Sequence, residues 1–189
     1  MLELSEAEMI KGCARGNAQA QEQLYQRFSS KMFGVCLRYS SNRMEAEDTL
    51  HEGFMKVYRN IEKYSYKGSF EGWVRRIMIN CALKKFQKEK KLYLKQDDIN
   101  EIYDLKEEYI PTGIDRLNAS DMTKMIQKLA PGFRMVFNLY AIEGYSHKEI
   151  GEMMGISEST SKSQLSRARI ILQKMLGVNK NNTPIKKND

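Results

Sequence analysis

Cysteine, proline, histidine and tryptophan are all scarce in this chain, and each scarcity closes off a reading. The three cysteines, Cys13, Cys36 and Cys81, are an odd number, widely spaced and without a CxxC pair, so neither a disulfide framework nor a thiolate metal site is indicated. Only two histidines, His51 and His147, are available to complete one. The cysteines read as reduced core residues, and no metal or cofactor is expected. Three prolines and little β-branched alternation leave a period of 3.6 as the dominant pattern, which predicts an all-α fold. The longest charge-free apolar run, 135–142, falls far below the roughly 18 residues a membrane span needs. The N-terminus, Met-Leu-Glu-Leu-Ser-Glu, lacks the basic-then-apolar order of a secretory signal. The expectation is a cytoplasmic chain.

What is present is charge and helical spacing. The 189 residues allow one domain or two small ones. Lys plus Arg is 31 against 24 for Asp plus Glu, a net charge of +7, which favours polyanionic partners, nucleic acid before an anionic membrane surface. Leu24, Phe28, Met32, Val35 and Tyr39 fall on one stripe of a long amphipathic helix over 19–39. A second stripe runs Ala46, Leu50, Phe54, Val57 and Ile61. A third, Phe70, Val74, Ile77 and Cys81, follows a loop over 64–69 that holds Gly68 and two tyrosines. With a short first helix over 5–14, these can share one core.

The charge then reverses. Residues 84–95 carry six lysines against Glu89, a net of +5, whereas 97–115 carry seven acids against Lys106, a net of −6. With Pro111 and Gly113, the second stretch reads as an acidic linker. The expected organisation is a first domain over 1–95, a linker over 96–116, a second domain over 117–177 and a frayed tail over 178–189. In the second domain, short helices over 120–129 and 134–142 are expected, with Pro131 suited to the first position of the latter. Next comes a helix over 146–154 with Ile150 and Met153 inward, a turn at Gly155, and a helix capped by Ser157 that runs to about Leu176. Helix, short glycine turn, helix is a helix-turn-helix.

Three constellations could carry function. On the last helix Ser159, Lys162, Ser163, Gln164, Ser166 and Arg167 oppose a buried stripe of Leu165, Ala168 and Leu172. In a DNA-reading helix Ser163, Gln164 and Arg167 would meet base edges while nearby cations bind phosphates; a solvated basic helix is the plainer alternative. In the first domain Arg76, Asn80, Lys84 and Lys88 recur every four residues as a basic ridge beside Trp73 and the aromatic loop, the combination that suits single-stranded nucleic acid. Trp73 could equally be a core anchor. Glu45, Glu47, Asp48 and Glu52 form an acidic patch, with no further ligand or nucleophile to make it catalytic. It reads as solvated surface or as a docking face for a partly basic protein. The chain is not expected to be an enzyme.

Taken in order, Ala46-Glu47-Asp48, Phe54-Met55-Lys56-Val57-Tyr58 and Phe70-Glu71-Gly72-Trp73-Val74-Arg75-Arg76-Ile77 with Asn80 resemble region 2 of bacterial sigma factors. Leu129-Ala130-Pro131-Gly132-Phe133-Arg134, Gly144-Tyr145-Ser146-His147-Lys148-Glu149-Ile150-Gly151 and Thr160-Ser161-Lys162-Ser163-Gln164-Leu165-Ser166-Arg167-Ala168-Arg169 resemble region 4. The length matches the small extracytoplasmic-function group. The resemblance implies two helical domains joined by a linker that threads the polymerase channel, binding to core RNA polymerase and promoter DNA, and an anti-sigma factor as inhibitory partner. It implies that Glu47, Asp48 and Glu52 dock on the basic coiled-coil clamp of the polymerase large subunit. Lys67, Gly68, Ser69 and Phe70 would hold a base flipped from the minus-ten element, with Trp73, Arg76, Asn80 and Lys84 along the non-template strand. Ser159, Lys162, Ser163, Gln164, Ser166 and Arg167 would face the minus-thirty-five element. Ser161 and Gln164 stand where the family often has Val and Arg. A plain helix-turn-helix regulator is the alternative, with an enzyme on RNA or nucleotides third.

Overall fold

Side-chain caps decide where the helices begin. In the computed structural model, which describes residues 3–93 and 118–177, Ser5 and Glu8 form a reciprocal capping box. It starts α1 (Glu6–Ala14), and the hydrogen bonds from Ser5 hold the Glu8 carboxyl below its usual range. Asn17 caps α2 (Ala18–Tyr39) and Asn42 caps α3 (Arg43–Asn60), each accepting a backbone N–H three residues on. A 3₁₀ turn (Ile61–Lys63) and a loop lead to α4 (Phe70–Tyr93). The acidic 96–116 segment and the 178–189 tail lie outside the described residues. The chain divides after Ile99 into two units, and each is described by itself.

In the first unit the stripes on α2 and α3 are buried as their spacing predicts, through Leu24, Phe28, Met32, Val35 and Tyr39 and through Ala46, Leu50, Phe54, Val57 and Ile61. The stripe on α4 differs. Phe70, Val74 and Cys81 are buried, but Ile77 is only half-buried, and Met78 and Ile79 point inward instead. The reason lies on α3: Gly53 has no side chain, the Met78 thioether occupies that space, and a Cβ at Gly53 would run into it. All three cysteines are buried thiols; burial raises Cys13 to about 11 and Cys36 to about 12.

In the second unit Asn118 and Asp121 box the start of α5 (Ala119–Gln127). Pro131 takes the first position of α6 (Pro131–Phe137), which starts earlier than its apolar pattern predicts and passes into a π-helical turn (Asn138–Ile142). The buried Arg134 ties α6 to α5 by donating from Nη1 to the Gln127 carbonyl at 2.7 Å. Ser146 caps α7 (His147–Met154) and Ser157 caps α8 (Glu158–Met175). Between them Gly155 adopts φ 63°, the left-handed cap that glycine takes without strain. Gly151 matters for a different reason: any Cβ there would approach the Ile156 carbonyl to 2.8 Å. Inward on α7 are Ile150 and Met154; Met153, expected there, is half-buried. Among the described residues there is no strand and no helix long and apolar enough to cross a membrane.

Candidate docking and nucleic-acid interfaces

The exposed face of α3 is less acidic than its composition suggests. Glu47 is paired with Arg43 at 2.8 Å and Glu52 with Lys56 at 2.6 Å, while the half-buried Glu45 accepts from the Ser41 N–H at 2.8 Å. Asp48 is exposed and has no ion pair among the described residues. Such surface pairs contribute about 0–1 kcal/mol each, but they locally neutralise their carboxylates. Asp48 is therefore the free negative charge of the face. The composition did not point to the apolar frame around it: Met44 is 74% exposed and Met55 40%, and positions 44, 48, 51 and 55 share one helical face. A shallow groove of about 470 Å³ runs beside them, lined by Tyr25, Phe33, Leu50 and His51, with the Arg43 guanidinium 5.1 Å from the Phe33 ring centre.

Across the first unit, the loop before α4 is built on aromatic rings. The buried Tyr64 donates its hydroxyl to the Gly68 carbonyl at 2.8 Å. Gly68 takes φ 91°, and Ser69 caps α4, its Oγ accepting from the Gly72 N–H at 3.1 Å. Phe70 corrects an expectation. It is fully buried, edge-on to Phe28 at 5.6 Å and to Tyr64 at 5.1 Å, and stacked on Trp73 at 5.6 Å, so it cannot itself touch a flipped base. Trp73 is half-buried. One part of it rests on Phe70; another lines a groove of about 220 Å³ with Lys56, Asn60, Lys63, Ile77 and Asn80. Lys67, Arg76, Asn80, Lys84 and Lys88 are exposed, and rows four residues apart repeat about every 6 Å along a helix. Lys56 adds a cation to the groove wall. Partial burial works against its charge, but its hydrogen bonds to Glu52 and to the Cys81 sulfur, at 3.3 Å, raise its pKa on balance.

On α8, Ser159, Lys162, Ser163, Ser166 and Arg167 are exposed, opposite the buried Leu165, Ala168 and Leu172. Lys162 is held by Glu158 at 2.6 Å, and the Ser163 hydroxyl donates to the Thr160 carbonyl at 2.9 Å. Gln164 is a second correction. It is half-buried, its amide lies where it would meet a Cβ at Gly132 of α6 at 3.4 Å, and its Oε1 is buried without a hydrogen-bond partner. Its direction is inward, not toward a groove of DNA. Ser161 is fully buried, and its Oγ sits 2.9 Å from His147 Nδ1. The His147 ring stacks on Tyr140 at 4.4 Å, with the Arg169 guanidinium 5.7 Å from the same Tyr140 ring. These residues fix α8 against α7 and the π-helical turn. Among the described residues no group of three His, Cys, Asp or Glu is gathered as a metal ion would need.

Comparison with known proteins matches the two units separately. The family profile "Sigma-70 region 2" matches residues 24–92 and "Sigma-70, region 4" residues 120–172, together well over half of the chain. The ECF RNA polymerase sigma factor SigE of Mycolicibacterium smegmatis is 30% identical over 166 residues, 86% of this chain and 63% of SigE. SigW of Bacillus subtilis, also an ECF RNA polymerase sigma factor, is 27% identical over 93% of this chain and 98% of its own length. The sigma factor RpoE of Bartonella quintana, solved in complex with the anti-sigma factor NepR, shares the fold, with a TM-score of 0.51 at 21% identity, covering 84% of this chain and 97% of RpoE.

Proposed function

This chain belongs to the sigma-70 family, in its extracytoplasmic-function group, and from that premise we propose how its surfaces divide the work of starting transcription. It binds core RNA polymerase, places it on a promoter and opens the strands, and the bond-making chemistry belongs to the polymerase. The face of α3 around Asp48, with Glu47 and Glu52 beside it, docks on a basic surface of the core. The loop residues Lys67, Gly68 and Ser69 receive a base displaced from the minus-ten element, with Phe70 supporting them from below. Trp73, Arg76, Asn80 and Lys84 track the exposed strand, where the cost of unstacking, a few kcal/mol per flipped base, is offset by stacking and charge. Ser159, Lys162, Ser163, Ser166 and Arg167 meet the minus-thirty-five element in the major groove. On family grounds an inhibitory anti-sigma protein is a further partner, and the cytoplasm, beside the polymerase, is the place of action.

The observation that carries this reading is that two units of one chain, matched in order by regions 2 and 4, each present an exposed polar and basic helix face. Run-off transcription with core polymerase on a promoter library tests it. Specific transcripts are expected only when the chain is added; a chain that shifts duplex DNA alone yet yields no transcript is a plain regulator. In the same assay Arg167→Ala should weaken use of the upstream element by roughly 1–3 kcal/mol, with core binding intact. Loss of core binding in that variant would remove α8 from the DNA.

A further inference from the structure

Among the described residues Tyr66 is the one non-glycine with a left-handed backbone, φ 58°. Strain of that kind persists only where the surroundings enforce it, and it collects at functional sites. Here the enforced side chain is a large ring that is 60% exposed. The ring is also pre-ordered. Its centre lies 4.8 Å from Tyr64 at a tilt of 47°, and Tyr64 is fixed by its hydrogen bond to Gly68 and by Phe70 and Trp73, 5.1 and 5.6 Å away. Tyr66 is thus the outermost ring of a five-ring cluster, with Tyr64, Phe70, Trp73 and Phe28 behind it. Its surroundings are net basic rather than purely so: Lys67 follows it directly and Lys63 carries on into the groove of Lys56, Trp73 and Asn80, against the exposed Glu62 and against Glu6, whose charge reaches Tyr64. Glu71, the acid at the start of α4, is engaged by Lys31 at 2.8 Å.

We propose that Tyr66 is a stacking platform for an unpaired base of the opened promoter strand, a contact additional to the Lys67–Ser69 loop. This rests on the function proposed above. Every base has a π face, so the platform would add affinity for opened DNA with little sequence preference, and a ring that is already oriented loses little entropy on binding. A protein contact, with the ring pressed on core polymerase, is the competing use; the lysines that run from Lys67 through Lys63 to the Lys56–Trp73–Asn80 groove favour the nucleic acid.

Glycine takes the left-handed backbone without strain, so Tyr66→Gly removes the ring and keeps the loop. Full-length wild-type, Tyr66→Gly and Tyr66→Phe chains are assembled with core polymerase and titrated against a fluorescent duplex carrying a randomised unpaired bubble. The Tm of each free chain and its affinity for core are measured in parallel. Tyr66→Gly is expected to bind the bubble about tenfold more weakly, with no fall in Tm and unchanged affinity for core; Tyr66→Phe retains the wild-type affinity. Equal bubble affinity for Tyr66→Gly and wild type overturns the inference, as does a loss confined to core binding. A wild-type holoenzyme that fails to bind the bubble at all brings down the proposed function, and this inference with it.

Discussion

Truncating Phe70 to alanine is expected to cost about 3–5 kcal/mol of folding free energy, which is a large share of the roughly 5–15 kcal/mol that stabilises a typical domain. Phe70 is buried completely and touches three rings, Phe28, Tyr64 and Trp73. Removing it leaves a cavity beneath both the loop and the first turn of α4. Urea unfolding of the free chain, followed by helical signal, should show a markedly lower midpoint with an unchanged slope. The consequence for DNA is secondary, because Tyr64 and Trp73 lose the surface that orients them. A variant that loses under about 1 kcal/mol while failing selectively on opened DNA would return Phe70 to the list of base contacts and contradict its burial.

The second large effect concerns Asp48. Reversing its charge in Asp48→Lys is expected to weaken association with core polymerase by about 100-fold, since like charges brought together at an interface cost several kcal/mol. Glu47 and Glu52 should respond less, because Arg43 and Lys56 already hold them at 2.8 and 2.6 Å. The fold should hardly change: Asp48 is exposed, and substitutions at such positions usually stay within about 0.5 kcal/mol. Titration of labelled core polymerase with each variant, at two salt concentrations, measures the effect. Core affinity equal to wild type would move the docking face away from α3.

The stripes on α2 and α3 were legible because an amphipathic helix declares its buried face in its own spacing. On α4 the stripe was legible at Phe70, Val74 and Cys81 but not at Ile77, because Met78 goes inward to fill a gap opened by Gly53, a residue on another helix. The same holds for Gln164, whose direction depends on Gly132 far back in the chain; the burial of Phe70, by contrast, was declared by its place on the α4 stripe, and only the family resemblance had set it against a flipped base. Which cations and hydroxyls of α8 lie exposed could be read directly, since they oppose Leu165 and Leu172. The sign of φ at Tyr66 could not, because nothing in a tyrosine forecasts a left-handed backbone. The His147–Ser161 pairing was missed although both residues were in view. Its signal was the Ser161 departure itself, a hydroxyl on a face that otherwise asks for an aliphatic side chain.

With α8 on DNA as proposed above, the clasp between Glu158 and Lys162 bears on how the chain searches a genome. A phosphate that wants the Lys162 ammonium must first displace a carboxylate 2.6 Å away. Where Lys162 meets a phosphate rather than a base edge, that exchange penalises right and wrong sequences alike, and what shifts is dwell time. A complex held by phosphates alone lets go sooner, and the chain is returned earlier to its next encounter.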